Sequence, residues 1–414
     1  MNNNGTTRQP MQDVKVLEVA QYTFTPAAGA ILADWGADVI KVEHAEMGDA
    51  QRGIELGAVS PRIGSFKPLM EHPNRGKKSV GLALEHPDAR QILLELVASS
   101  DVFLTNFLPA ARRRLGIDVD DIRAANPSII YVRGSAYGPK GKEAERGGYD
   151  GSVFWSLGGL AIAATPRDAP RMIHMPSPAF GDSIGGMTLA GGIAAALYMR
   201  EKTGQPSVVD VSLMSMGAWV TGLALNNALL TESVPQRPLA AGPHNVPANP
   251  IVGDFPTADG RWVTLTLLQP GKFWPEVCKR LEIEHLTDDP RFDSAQKLME
   301  HADEAGALIS EAFRKRTLVE WMERFAGFDG VWAPNRDWLE AARDPQMRAN
   351  GYIVPVVDAD GVQRELVSSP VQFDEIPFDL RRAPQFAEHT DEVVSALGRS
   401  TDELIKLKLE GAIS

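Results

Sequence analysis

Apolar residues in the first half of the chain form two kinds of pattern, short continuous runs and helical spacing. The continuous runs predict four strands, in VKVLEVA (14–20), ADVIKVE (37–43), DVFLTNF (101–107) and PSIIYVRGSAYG (127–138). The segments between them, among them PAAGAILADWG with Pro26 in its first turn and the amphipathic HPDARQILLELVASS, predict helices. Apolar strands that alternate with helices are typical of a parallel sheet covered on both faces. The pattern therefore predicts an α/β fold.

The pattern changes near residue 230. The stretch TESVPQRPLAAGPHNVPANP contains five prolines, which predicts an extended linker. GDFPTADGRWVTLTL then predicts a hairpin with Asp259 and Gly260 in its turn, followed by helices near 273–281 and 302–326. STDELIKLKLEG predicts a polar C-terminal helix that packs back on the first domain. We therefore divide the chain into the first part of a large domain (1–230), a linker (231–250), a small α+β domain (251–340), and a return linker with the C-terminal part of the large domain (341–414).

Composition and charge narrow the class of protein. With 414 residues, 43% of them hydrophobic and 23% charged, the chain has the composition of a soluble globular protein of two or three domains. Its net charge of −12 argues against nucleic acid as the main partner. The single cysteine, Cys278, excludes an intramolecular disulfide, and its helix-like surroundings predict a buried apolar side chain.

Two segments of the chain can be compared with a signal peptide and with a membrane-spanning helix. The N-terminal MNNNGTTRQPMQ lacks the basic and apolar regions of a signal peptide, so we expect a cytoplasmic protein. Residues 211–231 carry no charge, but their Ser, Thr and Asn side chains favour a buried core helix over a membrane span.

Common cofactor motifs do not occur where the pattern would place them. The turn after the first strand, AQYTFTPAAG, lacks the G-x-G-x-x-G spacing of a dinucleotide site, and YGPKGKEAERGG lacks Walker spacing. Six histidines have no paired spacing and no cysteine partner, which predicts no metal site: His44, His72, His174, His244, His301 and His389. Two basic clusters, NRGKKS (74–79) and ARRRLG (111–116), are compatible with solvated loop and helix ends or with a polyphosphate site, because Arg binds phosphate in a bidentate way.

A lone acid, Asp182, lies in the small-residue segment PAFGDSIGGMTLAGG, just before a predicted helix that begins at Ser183. Asp182 is compatible with two roles, a helix N-cap and a nucleophile. The helix dipole would hold its carboxylate ionised, which is the state that a nucleophile needs. The predicted helix also contains four glycines, each costing about 1 kcal/mol relative to Ala, at Gly185, Gly186, Gly191 and Gly192. This cost indicates that another backbone or a ligand approaches the helix closely.

Six segments occur in an order that resembles the class III CoA-transferases, the family of formyl-CoA, carnitinyl-CoA and bile-acid CoA-transferases. They are VLEVAQYTFTPAAGAILADWGADVIKVE, NRGKKSVGLAL, DVFLTNFLPAARRRLGI, NPSIIYVRGSAYG, GGYDGSVFWSLGG and FGDSIGGMTLAGGIAAALYMREKTG. The tail EHTDEVVSALGRSTDELIKLKLEGAI resembles the end of the same proteins. The resemblance implies a Rossmann-like large domain built from both chain ends, a smaller domain between them, and an interlocked homodimer of ring-like protomers.

The resemblance also implies covalent catalysis by Asp182, which would attack an acyl-CoA thioester and then carry CoA to a carboxylic acid. It implies no cofactor beyond coenzyme A and no metal. The residues that match CoA contacts or neighbours of the catalytic acid are His44, Leu82, Asn106, Phe107, Arg114, Tyr149 and Asp150. His44 stands where formyl-CoA transferase has an arginine, Thr23 replaces its glutamine, and TLLQPGKFW lacks its glycine-rich lid. These departures argue against formyl and oxalyl groups as the substrates. The missing lid and the apolar VFWSLGGLAIAA after Asp150 favour an acceptor acid larger than formate.

Two other functions stay open. The α-methylacyl-CoA racemases share the fold and use a histidine and an aspartate, with the histidine in a GHD segment where this chain has GYD. Tyr149 is a poor base at neutral pH because a phenol has a pKa of about 10, so the sequence favours transfer, with His174 as the remaining substitute base. The third function is a CoA-ester binding protein without catalysis, and the presence of Asp182 argues against it.

Overall fold

The computed structural model of the protein describes residues 9–57, 60–234 and 249–414, which divide into two compact units. The larger unit comprises the described residues within Met1–Thr165, Met172–Val234 and Pro345–Ser414. The smaller unit comprises those within Pro166–Arg171 and Pro235–Asp344. Most of the predicted linker (231–250), including His244, lies outside the described residues.

The larger unit begins with six strands and the helices that connect them. The strands are β1 (Lys15–Val19), β2 (Asp38–Glu43), β3 (Lys78–Gly81), β4 (Val102–Thr105), β5 (Ile130–Ser135) and β6 (Val208–Ser212). The helices are α1 (Phe24–Asp34), α2 (Pro68–Asn74), α3 (Pro87–Ala98), α4 (Pro109–Leu115), α5 (Val119–Ala125), α6 (Leu160–Ala164), α7 (Phe180–Thr203), α8 (Leu213–Val220) and α9 (Gly222–Thr231), with a 3₁₀ helix (Ala50–Gly53) and a π-helical segment (Gly151–Leu157). Proline opens α2, α3 and α4, where its fixed φ suits a helix start.

The six strands form one parallel sheet in the order β3-β2-β1-β4-β5-β6. Alternate side chains face two cores, so that Val16 and Leu104 pack on one face and Leu17 and Phe103 on the other. This confirms the α/β prediction and the four predicted strands. β3 and β6 were not predicted, because β3 has only four residues and β6 continues into an apolar run that resembles a helix.

The smaller unit contains a three-stranded antiparallel sheet and five helices. Its elements are β7 (Val252–Pro256), β8 (Trp262–Thr266), α10 (Pro270–Arg280), a 3₁₀ helix (Glu284–Leu286), α11 (Ala295–Glu300), α12 (Ala302–Phe313), α13 (Leu318–Phe325), β9 (Trp332–Pro334) and α14 (Trp338–Ala342). The hairpin at Gly260 is confirmed, with a φ of +73° that glycine tolerates. The predicted helix over 302–326 is two helices, because Thr317 and Glu320 form a capping box that starts α13. Cys278 is fully buried as expected, and burial raises the pKa of its thiol to about 12.

The C-terminal segment returns to the larger unit. It contains α15 (Pro345–Ala349), the antiparallel pair β10 (Ile353–Val357) and β11 (Gln363–Val367), α16 (Thr390–Ala396) and α17 (Thr401–Leu409). Leu404 and Leu407 of α17 are buried in the same core as Val80 and Leu82. The polar C-terminal helix therefore packs on the N-terminal sheet, as predicted.

The expectation of one buried helix over 211–231 is wrong. β6 occupies its first residues, and α8 and α9 meet at Thr221 with a bend of 73°. None of the residues of α9 is buried, and four apolar side chains of this region are 79% to 83% exposed: Trp219, Leu223, Leu229 and Leu230. Among the described residues no single helix is both long and apolar enough to cross a membrane, although α8 and α9 together meet those criteria.

Close packing of α1 against α7 explains two of the four glycines that the sequence placed in this helix. A Cβ built on Gly186 would lie 2.5 Å from Ala27 Cβ and 3.1 Å from the Ala27 carbonyl carbon, and one on Gly185 would collide with the Phe24 ring. Gly191 has no atom within 4 Å of the same position. The close approach inferred from the sequence is thus made by another helix of the same unit at Gly185 and Gly186.

These glycines allow a matched test of packing with one methyl group. We expect Gly186→Ala to lower the free energy of unfolding by about 1–3 kcal/mol, because α1 must move. Gly191→Ala should raise it by about 0.5–1 kcal/mol, since alanine favours the helix and nothing obstructs its methyl group. Urea unfolding midpoints of the two variants measure both effects. Equal shifts in the two variants would contradict the packing argument.

Candidate active site

A cavity of about 410 Å³ lies at the carboxyl-terminal edge of the parallel sheet. Residues that follow β1 and β4, including Tyr22 and Asn106, line it together with Asp150 and Asp182. The strand order reverses between β1 and β4, and open α/β sheets commonly bind ligands at such a point. All residues that line the cavity belong to the larger unit.

Hydrogen bonds hold the loop after β1 in place beside the cavity. Asn106 accepts a hydrogen bond from Gln21 N at 3.0 Å and donates one to Gln21 O at 2.6 Å. The next residue, Tyr22, has a φ of +65°, and its N–H donates to Asp49 Oδ1 at 3.1 Å. The fully buried Lys41 bridges Asp49 Oδ2 at 2.8 Å and Ala20 O at 2.7 Å. Buried charges therefore fix an unfavourable backbone conformation at the wall of the cavity.

Asp182 is the third residue of α7, and it does not cap the helix. Ala179 holds the N-cap position with a φ of +57°, and its side chain makes no capping bond. Asp150 acts there instead, because its Oδ2 accepts hydrogen bonds from Gly181 N at 3.1 Å and Asp182 N at 3.5 Å. The N-cap alternative for Asp182 is thus wrong, and its part-buried carboxylate faces the cavity.

The protonation of Asp182 also differs from the expectation. Burial and the neighbouring Asp150 carboxylate raise the pKa of Asp182 to about 7. Burial also raises the pKa of Asp150, although the two N–H hydrogen bonds that its carboxylate accepts act to lower it. The dipole of α7 was expected to keep Asp182 ionised, but Asp150 already occupies the first-turn amides. Near pH 7 Asp182 therefore exists in both protonation states.

Two phenols, Tyr22 and Tyr149, line the cavity side by side. The rings of Tyr22 and Tyr149 meet edge to face with centroids 5.6 Å apart, and their hydroxyl oxygens lie 3.5 Å apart. The hydrogen bond to Tyr149 and burial raise the pKa of Tyr22 to about 12. The Tyr22 hydroxyl therefore keeps its proton at neutral pH, and it cannot serve as a base there.

Four arginines line the cavity, and each is paired with a carboxylate. The pairs are Arg112 with Asp118 (3.2 Å), Arg113 with Glu145 (3.1 Å), Arg133 with Asp210 (2.7 Å) and Arg146 with Glu143 (3.2 Å). The cluster ARRRLG thus sends two of its arginines, Arg112 and Arg113, to the cavity.

The second basic cluster is buried within the larger unit and binds carboxylates. Arg75 contacts Asp34 at 2.6 Å, and Lys77 contacts Glu18 at 2.7 Å, with all four side chains buried. NRGKKS is therefore neither a solvated loop at these two positions nor open to a phosphate. Both alternatives considered for Arg75 and Lys77 are therefore wrong. The sequence did not indicate these ion pairs, because the partners lie far away along the chain.

The structure divides the predicted site residues into two groups. Asp182, Asp150, Tyr149, Asn106 and Phe107 all line the cavity. His44 instead lines a shallow depression that also includes Glu85, and Arg114 is exposed with its guanidinium 3.8 Å from Glu85. Leu82 is 1% exposed and its side chain belongs to the core.

A surface group near the depression has the atom types of metal ligands. His86, Asp88 and Glu410 each place one such atom within 4.8 Å of the others. Asp88 and Glu410 are exposed, and His86 Nδ1 accepts a hydrogen bond from Asp88 N at 3.2 Å, which caps α3. These contacts are those of a helix start, and the absence of a metal site stays a prediction.

The family model described as CoA-transferase family III matches residues 11–390. The chain belongs to this family. The match spans nearly the whole chain and therefore includes the parallel sheet, the cavity with Asp182 and the smaller unit. The chain is therefore a family III CoA-transferase, as the ordered segments predicted.

Named relatives and a solved structure agree with this assignment. (R)-2-Hydroxy-4-methylpentanoate CoA-transferase of Clostridioides difficile is 28% identical over 404 residues, which cover 96% of this chain and 98% of that protein. Succinate–glutarate CoA-transferase of Agrobacterium fabrum is 30% identical over 396 residues, covering 94% and 96%. A CAIB/BAIF family protein from Brucella suis has a crystal structure that superposes with a TM-score of 0.82 at 26% identity, covering 94% of this chain and all of that one.

The racemase alternative is not favoured by the cavity of this family III enzyme. No histidine is among the residues that line it, all of which the structure describes. His174, the substitute base, is exposed and lies outside the lining. Sequence reasoning missed three features of the site: Tyr22, Arg133 and the hydrogen bonds of Asp150 to the α7 amides. Of these, only Tyr22 had a signal in the sequence, since it lies just after an apolar strand.

Proposed function

We propose that the enzyme transfers CoA from an acyl-CoA to a carboxylic acid through covalent intermediates on Asp182, in the cytoplasm and with no other cofactor. A carboxylate oxygen of Asp182 attacks the thioester carbonyl, the C–S bond breaks, and CoA leaves as a thiolate. The thiolate then attacks the Asp182 carbonyl carbon of the mixed anhydride and releases the donor acid. The product is an aspartyl-CoA thioester.

The second half of the reaction runs the same steps in reverse order. The acceptor carboxylate attacks the aspartyl thioester, so that a new mixed anhydride forms and CoA leaves again as a thiolate. The thiolate attacks the acyl carbon of the acceptor, which yields the new acyl-CoA and frees Asp182. Each step exchanges one acyl bond for another.

One observation supports this proposal above the others. The carboxylate of Asp182 lies in the cavity, and none of the described residues gives it a hydrogen bond or a cation. A carboxylate with a purely structural role would be paired, as Asp34 is with Arg75. A raised pKa also makes an ionised carboxylate a stronger nucleophile, because it forms a tighter bond to an electrophile.

The predicted CoA contacts fall at two places, the cavity and the depression with His44, and these two places suggest how acyl-CoA lies on the protein. We place the reacting thioester in the cavity beside Asn106 and Phe107. The nucleotide end would reach the depression with His44, near Arg114. Leu82 would contribute backbone there, since its side chain is in the core.

Intact-protein mass spectrometry tests the covalent mechanism. The wild type is incubated with a panel of acyl-CoAs and then with hydroxylamine, beside Asp182→Ala. We expect a labile CoA or acyl adduct on Asp182 that the variant lacks. Deuterium exchange at the α-carbon without an adduct would point to a racemase. Tight binding without either signal would point to a CoA-ester binding protein.

The exposed apolar face of α8 and α9 supports a homodimer. Trp219, Leu223, Leu229 and Leu230 would be covered by a second copy, since four large apolar side chains this exposed on two adjacent helices are unusual on a monomer. The interlocked form rests on the family resemblance. Sedimentation equilibrium decides the mass, and a monomer at micromolar concentration would contradict the proposal.

We further propose an acceptor with one carboxylate and an uncharged body larger than formate. Each of the four cavity arginines already has an acidic partner, and the cavity also holds Asp150 and Asp182. A second carboxylate on the acceptor would lack a free cation and would meet these acids. The named relatives act on both monocarboxylates and dicarboxylates, so the distinction matters here.

A panel of acceptors checks this with the donor that forms the adduct. We expect kcat/KM for 4-methylpentanoate to exceed that for glutarate and for formate by about 10-fold or more. Asp210→Asn leaves Arg133 without its partner, so this variant should use glutarate better than the wild type does. Preference of the wild type for glutarate, or for one- and two-carbon acids, would contradict the proposal.

A further inference from the structure

His72 contacts the first turn of α7 but does not line the cavity. It lies on α2, and its imidazole Nε2 is 3.2 Å from Ser183 Oγ. Ser183 directly follows Asp182, whereas His72 itself does not line the cavity. The imidazole therefore contacts the segment that carries Asp182 without access to a substrate in the cavity.

The partners of Ser183 determine the direction of this hydrogen bond. The hydroxyl of Ser183 donates its only proton to Ala179 O at 2.8 Å. Ser183 Oγ can then only accept from the histidine, so His72 must carry its proton on Nε2. Burial and the nearby Arg75 lower the pKa of His72 to about 4, which keeps the ring neutral at pH 7. The chain of donors runs from His72 through Ser183 to Ala179.

Ala179 is the residue on which this chain ends, and its backbone is unfavourable. Its φ of +57° is one that alanine rarely adopts. Its carbonyl accepts from both the Ser183 hydroxyl and Ser183 N, the latter at 2.9 Å. These two bonds hold the turn that leads into α7, and the direction of that turn sets where the Asp182 carboxylate points.

We propose that His72 is a positioning residue for Asp182, acting through Ser183 and the Ala179 carbonyl. The proposal rests on the proposed role of Asp182 as nucleophile. It assigns a function to a histidine that neither binds substrate nor transfers a proton. Loss of its donor would let the α7 turn relax, so that the carboxylate no longer aligns with the thioester.

Single-turnover formation of the Asp182 adduct tests this. We expect His72→Leu to slow adduct formation at saturating acyl-CoA by about 10- to 100-fold, with the KM for acyl-CoA unchanged. His72→Gln retains a donor near the Nε2 position and should recover most of the rate. Ser183→Ala should slow the reaction as His72→Leu does, and the double variant should lose no more than either one.

Thr188→Ala is the matched control, because Thr188 Oγ1 makes the same bond to Ile184 O at 3.0 Å without an imidazole partner. It should react like the wild type. A wild-type rate in His72→Leu, or multiplicative losses in the double variant, would overturn the inference. If the wild type forms no adduct, the proposed mechanism has failed, and ¹⁵N-histidine NMR still tests the hydrogen-bond chain. A proton on Nδ1 of His72 would overturn it.

Discussion

Asp182→Asn is expected to abolish transferase activity and to stabilise the folded protein at pH 8. The amide cannot attack a thioester as a carboxylate does, so turnover should fall by at least about 10⁴-fold, as for other removed nucleophiles. The gain in stability arises because the wild type holds a part-buried carboxylate that lacks a cation and faces Asp150.

The pH dependence of this gain follows from the direction of the pKa shift. The pKa of Asp182 is about 7 in the folded chain against an ordinary value of 3.8. The folded state thus binds the proton more tightly than the unfolded state does. The free energy of unfolding is therefore highest below pH 4 and decreases as the pH rises through 7. The ionised carboxylate costs up to about 4 kcal/mol at pH 8. Asparagine removes this cost, so its gain in stability should be largest above pH 7, smaller at pH 6 and absent near pH 4.

Thermal unfolding of both proteins at pH 4, 6 and 8 measures this difference. Asp210→Asn is the matched control, since it makes the same change in the same cavity but at a carboxylate paired with Arg133. That variant should gain no stability, because it leaves a guanidinium without its partner. A gain for Asp182→Asn that is equal at pH 4 and pH 8 would contradict the proposed protonation.

Local patterns predicted the elements that depend on neighbouring residues. The apolar runs located β1, β2, β4 and β5, and the turn at Gly260 located the β7–β8 hairpin. The small-residue segment likewise indicated that Asp182 lies at the start of a tightly packed helix. In each case the physical cause lies within a few residues of the element, so that the sequence alone carries it.

Contacts between distant residues could not be predicted in the same way. Lys77 is 59 residues from Glu18, and Arg75 is 41 residues from Asp34, so their burial depends on how the sheet brings them together. The exposure of α9 could not be predicted either, because the sequence of an exposed apolar helix resembles that of a core helix. The role of Asp150 at the α7 amides required knowledge that a residue 31 positions before Gly181 lies there.

Asp150→Asn is expected to move the acid limb of kcat/KM to lower pH. In the wild type this limb should lie near pH 7, because Asp182 must be ionised to attack and its pKa is about 7. The amide oxygen of the introduced asparagine can still accept from Gly181 N and Asp182 N, so the turn is kept while the charge is lost. Without that charge only burial raises the pKa of Asp182, and the carboxyl group ionises at lower pH.

The rates of the two proteins should therefore cross. For each pH unit by which the limb moves down, the ionised fraction of Asp182 at pH values below the limb rises about tenfold. The rate of the variant relative to that of the wild type should therefore be higher near pH 5 than at pH 8. At pH 8 the Asp182 carboxylate is ionised in both proteins, and the variant should be slower because its nucleophile is less basic. Glu145→Gln is the control, since this exposed acid lines the cavity while paired with Arg113, and it should leave the limb in place. A limb that stays near pH 7 in Asp150→Asn would show that burial alone sets the pKa of Asp182, and one that moves upward would contradict the arrangement of the two acids.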